Sequence, residues 1–493
     1  MTTHALKPDG TMPASPGAAG LIQTSPAPSA VGAYSGLWLL YFGTWCFLMV
    51  ISLVAIKSGV SWAVIALFMG PLTLIGIAWR PLFGLALVLL ILPIGAAFSL
   101  GRAFTADRAV GIMFGLGAII HILATRKPLR FLVLPTLTLF ALAVIGWLSI
   151  FWAEYPPVVY PYAFMHTQMF FYVLVAISVC HKEEDLRWPL FAYVAACVLA
   201  VLVPQLTGTV TEVGGRVTII VEESGSLNPN AFGVQLGLGL LSAIYRYRRE
   251  HSRLIRLVYI AAFAILPFGV LLTGSRKAVF FLAAALFVPF MFSPWALRRI
   301  RLILGIVVLV GLIATAVYVG VKYFLPEKTL ERLVSLEYAE ESYAVRLGFI
   351  NDAIAYVLRH PLGAGLGSFR TFTGHVVHND LFFLLGDLGF LGAAIFAVFA
   401  IAMVISVWRM PNNLGKWYAA SIVIYLLMVG LGGTFIFSKY YWLFMAFAWL
   451  LVVFQRQAAA PTTSGFVEPI PLDRPLTGPP QQPPRPVQGR WGS

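Results

Sequence analysis

Long apolar blocks separated by short polar runs dominate the chain. Leu82–Leu100, Phe131–Phe151, Ile255–Thr273 and Leu302–Phe324 each run with hardly a charge. A block of roughly 19 residues or more crosses about 30 Å of hydrocarbon as a helix. In lipid, backbone N–H and C=O groups must be paired within their own segment, so these blocks are predicted to be helices. About fourteen such blocks are expected, near 37–56, 60–79, 82–100, 108–124, 131–151, 162–180, 188–206, 229–246, 255–273, 276–293, 302–324, 379–407, 416–434 and 440–455. The short pairs meeting at Arg80 and Ser438 are where that count would change. The pattern therefore predicts an all-α polytopic integral membrane protein of about 12–14 transmembrane helices. Its membrane domain covers 36–456, between Pro-rich tails at 1–35 and 457–493 that are expected to be disordered and cytoplasmic.

Composition agrees with the pattern. Of 493 residues, 59% are hydrophobic and 11% charged, against about 25% charged in a typical soluble domain. Lys and Arg collect on alternate loops: Arg126/Lys127/Arg130, Lys182/Arg187, Arg246 to Arg256, Arg298/Arg299/Arg301 and Arg409/Lys416. These loops are assigned to the cytoplasm, and an even helix count puts both termini there. The net charge of +14 is then mostly a topology signal, with anionic lipid headgroups as partner. No basic stripe with interleaved aromatics lies in a soluble segment, which argues against nucleic acid. Cys46, Cys180 and Cys197 fall in or beside predicted spans without metal-ligand spacing and are taken as small buried hydrophobes. Met1–Ala33 lacks an early apolar core, so no cleavable signal peptide is predicted.

Two extracytoplasmic loops, 207–228 and 325–378, are long enough to carry function. The second is basic, holding Lys328, Arg332, Arg346, Arg359 and Arg370. Within it, Val345, Phe349, Ile350, Ala353, Ile354, Val357 and Leu358 recur at helical spacing and predict a helix over Ser342–Arg359. Pro361 disfavours helical geometry at His360 and stops it. Arg346 stands at the border of the apolar face. Such a charge either snorkels at the membrane surface, which spacing alone favours, or points into a pocket under the helix. The run Pro361-Leu-Gly-Ala-Gly-Leu-Gly-Ser-Phe369 has glycines at alternate positions, as tight turns or a close approach require. With no following Gly-Lys-Ser/Thr and no preceding strand, it does not read as a nucleotide-phosphate loop. His378-Asn379-Asp380 stands where the next span begins; a histidine at such a boundary is more often structural, but flanking polar groups and the basic loop on its face suit this one to general base work. Arg276, in a short turn between spans, is by position a surface cation. Asn228 and Asn230 suit a helix cap.

The ordered set Arg216, Asn228-Pro-Asn230, Thr273-Gly-Ser-Arg276, Arg346, His360-Pro-Leu-Gly-Ala-Gly365 and His378-Asn379, then nine residues and Gly389-Phe-Leu-Gly392, resembles the O-antigen ligase and polymerase superfamily. The resemblance is best over about residues 210–405 and departs at Ala393, where some ligases carry Gly, Thr or Tyr. It implies a many-helix fold whose large periplasmic loop holds membrane-parallel helices. It implies a glycan on undecaprenyl diphosphate as donor, and lipid A–core, a growing polysaccharide or a protein as acceptor. Neither a cofactor nor a metal is implied. The implied catalytic residue is His378, with Arg216, Arg276, Arg346 and Asn379 binding substrate at the periplasmic face of the bacterial inner membrane.

The chemistry of the residues is compatible with that. Fixed guanidinium groups stabilise charge as it develops on a leaving phosphate, and a neutral histidine can take a proton from an attacking hydroxyl. A single displacement with inversion follows, because no loop pair of carboxylates fits the retaining scheme. The alternative reading is a lipid-linked oligosaccharide flippase. Such transporters keep polar groups near the mid-membrane, where the sequence offers only His121, His166 and Asp387, the last of which reads equally as a satisfied bundle contact.

Overall fold

The structure is a computed structural model that describes residues 37–49, 51, 62–94, 106–130, 133–207, 210–212, 217–221, 225–226, 228–291 and 337–459. The predicted span at 302–324, both tails and Arg216 lie outside these residues. The chain runs through α1 (Leu37–Met49), α2 (Trp62–Trp79), α3 (Pro81–Ile91), α4 (Ala106–Thr125), α5 (Leu134–Leu148), α6 (Pro156–Val179) and α7 (Arg187–Thr207). It continues through α8 (Pro229–Tyr247), α9 (Arg253–Leu272), α10 (Arg276–Met291), α11 (Glu337–Val357), α12 (Ser368–Thr373), α13 (Asp380–Trp408), α14 (Leu414–Gly432) and α15 (Lys439–Ala459). Among the described residues, seven helices are long and apolar enough to cross a membrane. The protein is an all-α polytopic membrane protein, as the hydropathy pattern predicts.

The helices begin where local chemistry lets them. Prolines open α3, α6 and α8, positions whose N–H would have no helical partner. Asn228, Ser252 and Asn413 cap α8, α9 and α14 by accepting backbone N–H bonds, as expected for Asn228. The breaks at Arg80 and Ser438 are both present, dividing α2 from α3 and α14 from α15. Inside the bundle, α8 is buried almost throughout, as is α15 from Tyr441 to Ala448. On the outer helices, Leu254, Leu257, Ile260 and Phe268 of α9 stay exposed, as do Ile112, Leu116 and Leu123 of α4. Such faces suit lipid contact and would be a liability in water.

Loop 207–228 holds an element that the sequence reading did not predict. Val210–Glu212 (β1), Val217–Val221 (β2) and Gly225–Ser226 (β3) form a small antiparallel sheet in the order β1-β2-β3, with Thr211 opposite Thr218. The signal was the β-branched run Val217-Thr-Ile-Ile-Val221. In the second long loop, α11 begins earlier than predicted, at Glu337, and its last turn closes with His360 N–H on the Tyr356 carbonyl at 2.9 Å, just ahead of Pro361. It packs against α13, burying Ala353 and Val357 and leaving Val345, Leu347 and Leu358 exposed.

The glycine run after α11 does not stay on the surface. Residues 363–369 are buried beside Gly386–Phe390, about two turns into α13. Ala364 N–H donates to the Gly386 carbonyl (2.9 Å), Gly365 N–H to the Asp387 carbonyl (2.8 Å), and Phe390 N–H to the Pro361 carbonyl (3.1 Å). The Asp387 carboxylate accepts from Gly367 N–H (2.7 Å) and Phe369 N–H (3.2 Å). Irregular backbone at such depth is tolerated only when protein satisfies its polar groups, and Asp387 does so here. The exchange requires α13 to break: Gly389 has φ 64° and ψ −159°. A Cβ on Gly389 would lie 2.0 Å from the Pro361 carbonyl oxygen, and one on Gly363 would lie 2.5 Å from Gly389 N. What approaches the glycines is thus the protein's own broken helix.

Candidate active site

A cavity of about 290 Å³ opens where α8, α10, α11 and the start of α13 meet the connector between α14 and α15. Lys277, Arg346 and His378 line it, with Asn228, Asn230, Ser275, Thr434 and Ser438 as further polar groups and Phe281 and Phe435 among the apolar ones. Among the described residues that line it, none is acidic.

His378 is set in place by the residues around it rather than by its own side chain. The Thr434 hydroxyl donates to the Val377 carbonyl at 2.7 Å. Asn379 caps α13, its Oδ1 accepting from Leu381 N–H (3.0 Å) and Phe382 N–H (3.2 Å) while its Nδ2 donates to the Leu431 carbonyl (3.1 Å). Asp380 is fully buried, and its Oδ1 accepts from Phe435 N–H (2.7 Å) and Ile436 N–H (2.9 Å). Val377, Asn379 and Asp380 thereby fasten the start of α13 to the end of α14 and to the connector that follows it. The Asn379 side chain is committed to this fastening and does not line the cavity.

Arg346 reaches the cavity from α11, next to Phe349, whose ring stacks on His375 at 4.5 Å. Of the two readings its sequence position left open, the pocket is the one observed. Among the described residues no carboxylate pairs with it. Burial, and then the charge of Arg276, push its guanidinium below the usual arginine range. Arg276 itself opens α10, half-buried, and does not line the cavity. The adjacent Lys277 does, and the sequence reading did not single it out. Partial burial, followed by the charges of Arg346 and Lys277, holds the His378 imidazole below the usual histidine range. At neutral pH its uncharged form, the one able to accept a proton, therefore predominates. Arg216 lies outside the described residues, so its relation to the cavity is an expectation only.

The arrangement can do two things chemically. Its cations can hold an anion of the size and geometry of phosphate, and its histidine can accept a proton from a neighbouring hydroxyl. Among the described residues, no three His, Cys, Asp or Glu side chains are grouped as a metal site would need.

A cavity lined by Lys277, Arg346 and His378, with no acid among its described lining residues, suits an anion. Residues 260–397 match the family model described as O-Antigen ligase. The matched stretch contains Arg276, Lys277, Arg346, His378 and the Gly363–Gly389 joint, and it supports the resemblance to the O-antigen ligase superfamily that the ordered motifs carry. No curated protein matches the chain. In general terms the family match supports ligase- or polymerase-like action, with a lipid-linked glycan as donor and a glycan acceptor.

Proposed function

We propose that the protein moves a glycan from undecaprenyl diphosphate to an acceptor hydroxyl at the periplasmic face of the bacterial inner membrane. The acceptor is lipid A–core, a growing polysaccharide or a protein. The observation that carries this reading is the meeting of His378, Arg346 and Lys277 in one cavity without an acidic side chain.

A ring nitrogen of His378 takes the proton of the acceptor hydroxyl as its oxygen bonds to the anomeric carbon. The bond from that carbon to the phosphate oxygen breaks, and the electron pair leaves with the lipid diphosphate. Negative charge grows on the phosphate in this step. The Arg346 guanidinium, half-buried at the cavity, stands where it can stabilise that charge as it appears. The attack and the departure occur on opposite faces of the sugar, which inverts the anomeric centre. No nucleotide, cofactor or metal enters the proposed step.

Transfer in proteoliposomes from a polyprenyl-diphosphate glycan, with candidate acceptors supplied in turn, tests the reading. His378→Ala is expected to lower transfer by roughly 10² to 10⁴-fold, the usual worth of a positioned base, with protein level and melting temperature unchanged. A variant that keeps its rate removes His378 from the chemistry. If no acceptor is used while labelled lipid crosses the bilayer equally in both proteins, a flippase is the better description.

A further inference from the structure

Residues 276 and 277 are both cationic, yet only one of them faces the cavity. Both stand in the first turn of α10, where successive residues point about 100° apart. The turn Thr273-Gly-Ser275 sets that register. Ser275 N–H donates to Thr273 Oγ1 at 3.3 Å, Ala278 N–H to Ser275 Oγ at 3.4 Å, and Gly274 takes a positive φ of 59°. Lys277 then lines the cavity together with Arg346 and His378, whereas Arg276 does not.

Room for the lysine is built in from across the cavity. A Cβ on Gly432, the last residue of α14, would stand 3.1 Å from Lys277 Cδ and 2.9 Å from Phe281 Cε2. The bare glycine therefore leaves a slot in which the lysine stem and the Phe281 ring both stand. The placement runs against helix stability, since the start of a helix is its positive end and a cation there is disfavoured. The electrostatic effect of Lys277 on His378 has the same origin: both face one small space.

We propose that Lys277 is a second anion-binding residue of this site, holding one phosphate of the lipid diphosphate while Arg346 holds the other. This inference rests on the donor class proposed above. The two side chains suit a division of labour. A planar guanidinium grips phosphate oxygens through two parallel hydrogen bonds, whereas an ammonium is a compact point charge that tolerates a range of geometries. Arg276 stands behind this pair and acts on Arg346 by its charge.

Binding of polyprenyl diphosphate and of the uncharged polyprenol to the full-length protein in detergent, alongside donor kinetics in proteoliposomes, tests this directly. Lys277→Gln is expected to weaken diphosphate binding by roughly ten- to a hundredfold, the range for losing a hydrogen bond to a charged group. Polyprenol binding should be unchanged. Lys277→Arg, which keeps charge and bulk, should stay within about threefold of the wild type, well under one decade of affinity. The Gln variant should also move the acid limb of the pH–rate profile to higher pH, because His378 loses a neighbouring cation; Arg346 remains, and the Asp380 carboxylate is turned to the Phe435 and Ile436 amides. Equal losses in both variants, or wild-type affinity in Lys277→Gln, overturn the inference. A wild type that binds diphosphate no better than polyprenol overturns the donor reading itself, a distinguishable result.

Discussion

The two ends of α9 treat their charges in opposite ways. Where α9 begins, the buried Glu250 takes Arg187 at 2.6 Å and Arg246 at 4.0 Å, Arg249 meets Glu183 at 2.6 Å, and Arg256 Nε donates to the Glu250 carbonyl at 2.6 Å. Where α9 ends, the chain turns into the cavity of Lys277, Arg346 and His378, which no carboxylate lines. Even at that end a cation can be neutralised, since Lys439 pairs with Asp107 at 2.5 Å. An anion entering the cavity would meet no carboxylate among the described residues that line it.

Substitutions at the two ends should separate stability from binding. Glu250→Ala leaves Arg246, only 5% exposed, without its anion. Losing one member of such a buried network costs about 3 kcal/mol, so a clear drop in melting temperature is expected, with turnover per folded molecule preserved. Thermal unfolding and transfer measured on the same preparation would check both halves. Arg346→Ala should do the reverse. It removes a charge repelled by its neighbours, so melting should hold or rise slightly. Donor affinity should fall by roughly ten- to a hundredfold through lost charge-assisted bonds. A melting loss as large as that of Glu250→Ala would erase the distinction between the ends.

The smallest expected effect is on pH. The His378 pKa is lowered, so the base is neutral through pH 7 and is lost only as pH falls through that lowered value. The acid limb of transfer should therefore lie below about pH 6.5, the unperturbed histidine value. In Arg346→Ala, whose charge is a cause of the depression, the limb should move upward. An unmoved limb would mean that the titrating group in the profile is not His378.

Much of this was legible in the sequence, for identifiable reasons. Hydropathy is a sum over many residues, so the spans and the breaks at Arg80 and Ser438 could be read from composition alone. His378 and Arg346 emerged because loop position, charge and ordered motifs agreed. The choice between Arg276 and Lys277 was not legible. It depends on a 100° step in the first turn of α10 and on a glycine at position 432, far away in the chain. Asn379 was expected at the substrate, but its amide fastens α13 to Leu431, a partner that no local pattern announces. The glycine run said that something would come close without saying what. Asp387 had two readings, mid-membrane functional group or satisfied contact, and the loop amides select the second.

The joint between the glycine run and α13 also sets a timetable for biogenesis. Residues 361–369 leave the ribosome before the Asp387 carboxylate and the Gly386 carbonyl that will satisfy their N–H groups. Until α13 has entered the bilayer, those amides have no partner there and must stay hydrated, and bundle segments form in order of synthesis. The cavity is consequently one of the last parts of the molecule to be assembled. A nascent chain arrested before Gly389 would carry most of its membrane helices and Arg346, yet have nothing to close the site.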